Sequence, residues 1–261
     1  MSMRFCSLGS GSEGNALIVE VRQGASTSRL MMDCGFGLAE TESRLARAGL
    51  SPANLDGIVV THEHSDHLGG VARFARKHLT PVWLTHGTAR LLSERALPQA
   101  LINYVDPHEA FQVNDIAVHP YTVPHDANEP VQYVFGDGAV RLGVLTDVGT
   151  TTTHIENSLK DCDALVLEAN HDREMLSVGP YPASLKARVA GRFGHLDNDT
   201  AAELLGRIKS PKLQHILCAH LSKQNNTEEL ARQAFANALS CEASWVGISR
   251  QDEGFDWRQL C

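Results

Sequence analysis

Residues 58–67 read Ile58-Val59-Val60-Thr61-His62-Glu63-His64-Ser65-Asp66-His67. A short apolar run, the mark of a buried strand, empties into four side chains able to ligate a metal within six positions. Imidazole nitrogen and carboxylate oxygen are donors that Zn²⁺, Mn²⁺ and Fe²⁺ accept. Side chains alternate along extended chain, so His62 and His64 share one face. Asp66 and His67 follow beyond a turn, beside Gly69-Gly70, and can face a second cation. A solvated loop with fortuitous histidines is the plainer alternative, but imidazoles and a carboxylate packed this densely are otherwise rare.

The surrounding chain has 261 residues, 43% hydrophobic and 21% charged, enough for a sizeable core without disulfide staples. The expectation is one hydrolase domain spanning residues 1–261. No apolar run approaches a membrane span, and Met1-Ser2-Met3-Arg4-Phe5-Cys6 lacks the apolar stretch of a signal peptide. A cytoplasmic protein without a membrane partner is therefore expected. The six cysteines are scattered with no C-x-x-C pair and read as small apolar residues. A formal charge of −8 argues against a broad basic surface for nucleic acid, although a metal site supplies its own local positive charge.

Outward from the cluster, alternating or apolar runs predict strands at Arg4–Leu8, Ala16–Val21, Arg29–Met32, Gly57–Val60, Pro81–Leu84, Ile102–Val105, Ile116–Val123, Val131–Phe135, Val140–Leu145, Ala164–Leu167 and Gln214–Cys218, with Glu242–Val246 as a final strand. Helical patterns fall at 39–48, 68–78, 87–96, 151–159, 183–192, 199–208 and 227–239. Two β-rich halves, each with its own helices, predict two sheets face to face with helices outside. Gly9-Ser10-Gly11-Ser12-Glu13-Gly14 spells G-x-G-x-x-G, but the strand-like Ala16-Leu17-Ile18-Val19-Glu20-Val21 follows where a dinucleotide site needs a helix. This stretch reads as a turn between strands, able to bring Asn15 and backbone near the metal pocket.

A centre with two cations needs further donors, and strand ends aim side chains into shared clefts. His125, Asp147 and His220 each follow a strand-like run. The two oxygens of Asp147 can each take one cation. Singly, each has a plainer role: a helix cap for Asp147 and a hydrogen-bonded surface residue for either histidine.

In this order the residues resemble the metallo-β-lactamase fold superfamily: Met32-Asp33-Cys34-Gly35, then His62-x-His64-x-Asp66-His67, His125, Thr146-Asp147 and His220. The resemblance implies an α/β fold, the αββα four-layer sandwich, with a dinuclear site at one edge of the sheets. It assigns His62, His64 and His125 to one cation and Asp66, His67 and His220 to the other. Asp147 bridges, and Asp33 orients the ligand loop through hydrogen bonds. Longer stretches narrow the likeness to the YycJ/WalJ branch, whose members are regarded as DNA exonucleases or simply as metal-dependent hydrolases. They are Ser7–Asn15, Val123-Pro124-His125-Asp126-Ala127, Leu167–Asp172, Gly179-Pro180-Tyr181-Pro182, Gly194–Asn198 and His220–Asn226. Glu13 stands where a small residue is expected and Asp197 where Ser is expected, adding negative charge beside the expected phosphate path. The interval from Asp147 to His220 is too short for the inserted domain of ribonuclease J-type enzymes, and no arm resembling that of ribonuclease Z is present.

The expected function is a dinuclear phosphodiesterase acting on nucleic acid, DNA before RNA. Its cofactors are two divalent cations, zinc first, with manganese or iron as alternatives. Two cations ~3.5–4 Å apart activate a shared water for in-line attack on phosphorus. His195, similar to a histidine that phosphodiesterase members use beyond the metal ligands, serves as general acid for the leaving oxygen. Glu168 orients it and keeps it protonated. Asp66, His195 and Glu168 form the expected catalytic group, and Asn170, His171 and Lys223 are candidate phosphate contacts. Lys186, Arg188 and Arg192 can line a groove for the nucleic-acid backbone, although a charged helix face is usually only a solvated one. Two rivals stay open: a small-molecule hydrolase of cyclic phosphodiesters or thioesters, and a non-catalytic, metal-stabilised regulatory protein. Oligomeric state is open too, a homodimer among the options.

Overall fold

The computed structural model describes residues 2–92 and 96–261. The chain opens with β1 (Ser2–Gly9), β2 (Ala16–Gln23) and β3 (Ser26–Met32), an antiparallel meander. After α1 (Leu38–Arg47), β4 (Gly57–Val59) joins β3 in parallel and leads into α2 (Ser65–Leu68) and α3 (Val71–His78). β5 (Val82–Leu84), α4 (His86–Ala89) and β6 (Ile102–Tyr104) complete the first half. The second half holds β7 (Phe111–Val113), β8 (Ile116–Thr122), β9 (Val131–Gly136), β10 (Arg141–Leu145), α5 (Thr153–Leu159) and β11 (Ala164–Glu168). There follow α6 (Arg173–Val178), α7 (Ala183–Val189), α8 (Asn198–Ile208), β12 (His215–Ala219), α9 (Glu228–Leu239), β13 (Gly247–Ile248) and β14 (Phe255–Leu260).

The strands form two seven-stranded mixed sheets, ordered β14-β1-β2-β3-β4-β5-β6 and β13-β12-β11-β10-β9-β8-β7. Period-two alternation sorts their side chains into layers. Met3, Phe5, Val19 and Val21 from the first sheet meet Val118, Phe135, Val144 and Val166 from the second in a core between the sheets. Their neighbours on the opposite faces, Cys6, Leu8 and Ile18, pack under α1 and α3 with Leu45 and Phe74. Leu165 and Leu167 likewise pack under α5, α8 and α9 with Ile155, Leu204 and Phe235. Three apolar clusters between four layers make the αββα sandwich. No described helix is long and apolar enough to cross a membrane.

Some sequence-based expectations need correction. The helix expected over 68–78 is two helices broken at Gly69-Gly70, where the chain passes so close to its neighbour that a Cβ at Gly70 would sit 2.0 Å from the Phe36 carbonyl oxygen. The helix expected over 87–96 covers only His86–Ala89 before a turn, and 93–95 lie outside the described residues. Glu242–Val246 is not a strand: Ala243–Trp245 form a 3-10 turn with Trp245 exposed, and pairing starts only at Gly247. The strands β7 and β14 and the helix α6 went unforeseen. Gly9–Gly14 is indeed the β1–β2 turn.

Candidate metal centre

Parallel strands of both sheets end along one edge, where ligand sites of α/β sheets concentrate. From the first sheet come Asp33 after β3 and His62, His64, Asp66 and His67 after β4. From the second come His125 after β8, Asp147 after β10, Asn170 and His171 after β11, and His220 after β12. The two sheets are tied there, the Val131 N–H donating to the Thr61 carbonyl at 3.0 Å and the Tyr133 hydroxyl to Val60 at 2.8 Å. Three of the edge residues hold the left-handed backbone: Asp33 at φ +62°, Asp147 at +52° and His220 at +55°. Such a conformation is rare outside glycine and marks turns that re-aim a side chain.

Donor atoms of His62, His64 and His125 lie within 4.8 Å of one another, as do those of Asp66, His67, Asp147 and His220. Asp147 borders both groups, its carboxylate 3.0 Å from His67 Nε2, 3.5 Å from His220 Nε2 and 4.0 Å from His125 Nε2. Four of the five imidazoles are fixed through the outward nitrogen. His67 Nδ1 donates to Asp33 at 2.8 Å, His125 Nδ1 to the Gly194 carbonyl at 3.1 Å and His64 Nε2 to the Asp126 carbonyl at 3.2 Å. His62 Nδ1 meets the Thr61 hydroxyl at 3.0 Å. The inward nitrogens are left to face the cleft, the usual arrangement around a metal. One buried inward atom, His62 Nε2, has no hydrogen-bond partner, and Asp147 Oδ2 meets only His67 Nε2, at 3.0 Å. An orphaned imidazole nitrogen beside a carboxylate at the centre of such a ring fits a cation.

The electrostatics agree. Burial alone would push the His220 imidazole down, yet Asp147, Asp66 and Glu168 around it hold it up at about 10. Burial would raise Asp147, but His220 and His67 keep its carboxyl well below the usual range. The carboxylates thus favour positive charge at the centre of the cleft.

Beyond these groups, His195 Nδ1 donates to Glu168 at 2.8 Å, and its ring lies on that of His220 with centroids 5.3 Å apart. Glu168 also accepts from the backbone N–H groups of Asp147, Val148 and Leu196 at 3.2, 3.1 and 3.0 Å. It therefore positions His195 and the Asp147 turn together. Burial pushes the Glu168 carboxyl up, but His195 and His220 together hold it at about 2, while Glu168 in turn raises His195 against its own burial.

Of the candidate phosphate contacts, Asn170 lines the cavity beside His195 and donates to the His220 carbonyl at 2.9 Å. His171 is buried against Asn170 Oδ1 at 3.3 Å and does not line that cavity. Lys223 is exposed and paired with Glu13 at 2.8 Å, on the wall of a neighbouring cleft. The extra charge of Asp197 is engaged as well: it caps α8 and pairs with Arg173 at 3.0 Å. Unforeseen were Thr61, which bonds Asp33 through N–H and hydroxyl at 2.8 and 3.1 Å, and Ser10, whose hydroxyl accepts the His220 N–H at 3.0 Å. Only the place of Thr61 between strand and cluster could have signalled the first.

A model of the beta-lactamase superfamily domain matches residues 28–216. The chain belongs to the metallo-β-lactamase superfamily. Within it, the chain is 36% identical to the exodeoxyribonuclease YycJ of Bacillus anthracis, over 95% of this chain and 93% of that one. It is 32% identical to the exodeoxyribonuclease WalJ of Streptococcus pneumoniae, over 95% and 92%. Among solved structures, the metallo-β-lactamase fold protein YhfI from Bacillus subtilis superposes with a TM-score of 0.74 at 14% identity, over 99% of this chain and 100% of YhfI. A diphosphatase of the PhnP family gives 0.70 at 19%, over 100% and 99%. At such identities these structures speak for the superfamily's fold alone.

Proposed function

We propose that this chain is a metal-dependent phosphodiesterase that removes nucleotides from DNA, residues 1–261 acting as one hydrolase domain. The observation that carries the reading is the His195–Glu168 pair set against the ring of donors. A site that merely held metal for structure would need no additional imidazole beside it. The relatives named exodeoxyribonucleases, aligned over nearly the whole chain, support the choice of substrate.

His62, His64 and His125 would hold one divalent cation and Asp66, His67 and His220 a second, with Asp147 between them; zinc suits the donors first, manganese or iron next. When bound, such a pair polarises the phosphate and lowers the pKa of water. The chain's residues do the rest. Asp33 fixes His67 in the tautomer whose Nε2 faces the cleft, and Thr61 steadies Asp33 and His62. Glu168 keeps His195 charged and oriented through Nδ1, leaving Nε2 to give its proton to the leaving oxygen, help typically worth ~10²–10⁴-fold. Asn170 braces His220 from behind.

The test compares two variants. His67→Ala should lose metal and nearly all hydrolysis of DNA, whereas His195→Ala should retain both metals and lose turnover by ~10²-fold or more. Metal content by plasma emission and rates on DNA, RNA, bis(p-nitrophenyl) phosphate and a thioester complete the measurement. Full activity in metal-stripped protein refutes the reading, and preferred turnover of the thioester reassigns the substrate.

A further inference from the structure

The glycine-rich run Gly9–Gly14 is followed at once by β2, too soon for a dinucleotide site, and the chemistry above gives it no task. It wraps around one side chain from the far end of the chain. Gln251, buried in the turn between β13 and β14, accepts the Glu13 N–H through Oε1 at 2.8 Å and donates through Nε2 to the Gly14 carbonyl at 2.8 Å. A Cβ at Gly11 would fall 2.5 Å from that Oε1, so only glycine lets the run close on the amide. Gln251 is held on its own backbone as well. The Arg44 guanidinium donates to the carbonyls of Gln251 and Leu8 at 2.9 and 2.7 Å. Glu13 and Gln251 stand 238 positions apart, so nothing local in the sequence signals the pair.

What the clamped turn touches is one half of the metal centre. Asn15, directly after Gly14, donates its N–H to the Asp66 carbonyl at 2.8 Å. Its side-chain amide closes a ring with Gly11, accepting the Gly11 N–H at 2.9 Å and donating to the Gly11 carbonyl at 3.0 Å. Fixed in this way, Asn15 Nδ2 lies 3.1 Å from His67 Nε2 and 3.4 Å from Asp66 Oδ2. At the other end of the turn, Ser10 donates its N–H to the Arg250 carbonyl at 3.0 Å and takes the His220 N–H on its hydroxyl at 3.0 Å. Asp66, His67 and His220 are the donors assigned to the second cation. His62, His64 and His125 bond elsewhere, to Thr61, Asp126 and Gly194. We propose that Gln251 is a positioning residue for the second cation: through Asn15 it fixes Asp66 and His67, and it leaves the His62, His64 and His125 group alone. The role rests on the two-cation reading of the centre. Partners in the layer behind metal ligands are typically worth about 10- to 100-fold in affinity.

The experiment titrates metal-free protein with Co²⁺, whose visible spectrum reports the ligands around each ion as it binds. Wild-type protein should show two binding steps. Gln251→Ala should weaken one of them about 10- to 100-fold and leave the other within about twofold. Gln251→Met keeps the length of the side chain without either hydrogen bond, and it should do the same. Two backgrounds identify the step that moves. In His125→Ala the step that remains should still weaken when Gln251→Met is added, whereas in His220→Ala it should not. Equal weakening of both steps, unchanged binding in Gln251→Met, or a loss confined to the His62 group overturns the inference and leaves the two-cation reading standing. Loss of the circular dichroism of the fold in Gln251→Met would make Gln251 a structural brace and overturn the inference too. Wild-type protein that takes up fewer than two Co²⁺ overturns both.

Discussion

Two buried glutamates show how one side chain serves different ends. Both are held at about 2 against burial that would raise them, Glu168 by His195 and His220 and Glu20 by Arg4 and Arg29. Glu20 on β2 has no exposed surface and takes Arg4 and Arg22 at 2.6 and 2.7 Å on one oxygen and Arg29 at 2.6 Å on the other. Its ion pairs join neighbouring strands and contribute stability, whereas Glu168 holds His195 and the Asp147 turn in place. A folded-state pKa below the ordinary carboxylate value means that this stability is complete above about 4.5 and drains away as pH falls toward 2. Glu20→Gln should therefore cost roughly 1–3 kcal/mol at pH 7, a modest figure because Arg22 is half exposed. Urea unfolding at intervals from pH 7 to pH 2.5 should show the difference from wild type shrinking on the acid side. A difference that stays constant or grows would remove Glu20 from the account.

At the scale of elements, the metal edge depends on backbones passing very close together. Gly35, in the turn after β3, receives the Asn15 carbonyl on its N–H at 3.1 Å, and a Cβ there would fall 1.8 Å from the Asp66 carbonyl oxygen. Gly35→Ala must displace α2, and with it Asp66 and His67. The expected result is a loss of about 3 kcal/mol in denaturant stability together with lower metal occupancy. A variant of normal stability and full occupancy would contradict that geometry. The same closeness explains what sequence could and could not reveal. The residues that gather at this edge were legible because most stand just beyond an apolar run, so local pattern and strand-end chemistry agree. Long alternating strands such as β2 and β8 were legible for the same reason. The edge strands β7 and β14 were not, because Phe111–Val113 is too short to show a period and Phe255–Leu260 interleaves charged residues. Ser10 escaped notice because its partner is His220, 210 positions away, and no local pattern encodes that meeting.

For the molecule as a whole, three apolar clusters hold the four layers without any help from the centre. Chelation should consequently abolish hydrolysis yet leave the far-ultraviolet circular dichroism unchanged, with a cooperative thermal transition shifted by a few degrees. Collapse of the spectrum on chelation would instead make the centre a structural staple. Both donor groups draw on both sheets, His62 and His64 with His125, and Asp66 and His67 with His220, so this edge is a joint between halves. The left-handed backbones of Asp33, Asp147 and His220 give that joint a further meaning. Each costs of order 1 kcal/mol relative to a residue at ease there. A designer optimising this backbone for stability alone would write glycine or asparagine at all three positions and erase the centre. Redesign of this scaffold for robustness must hold those three identities fixed and seek its gains elsewhere.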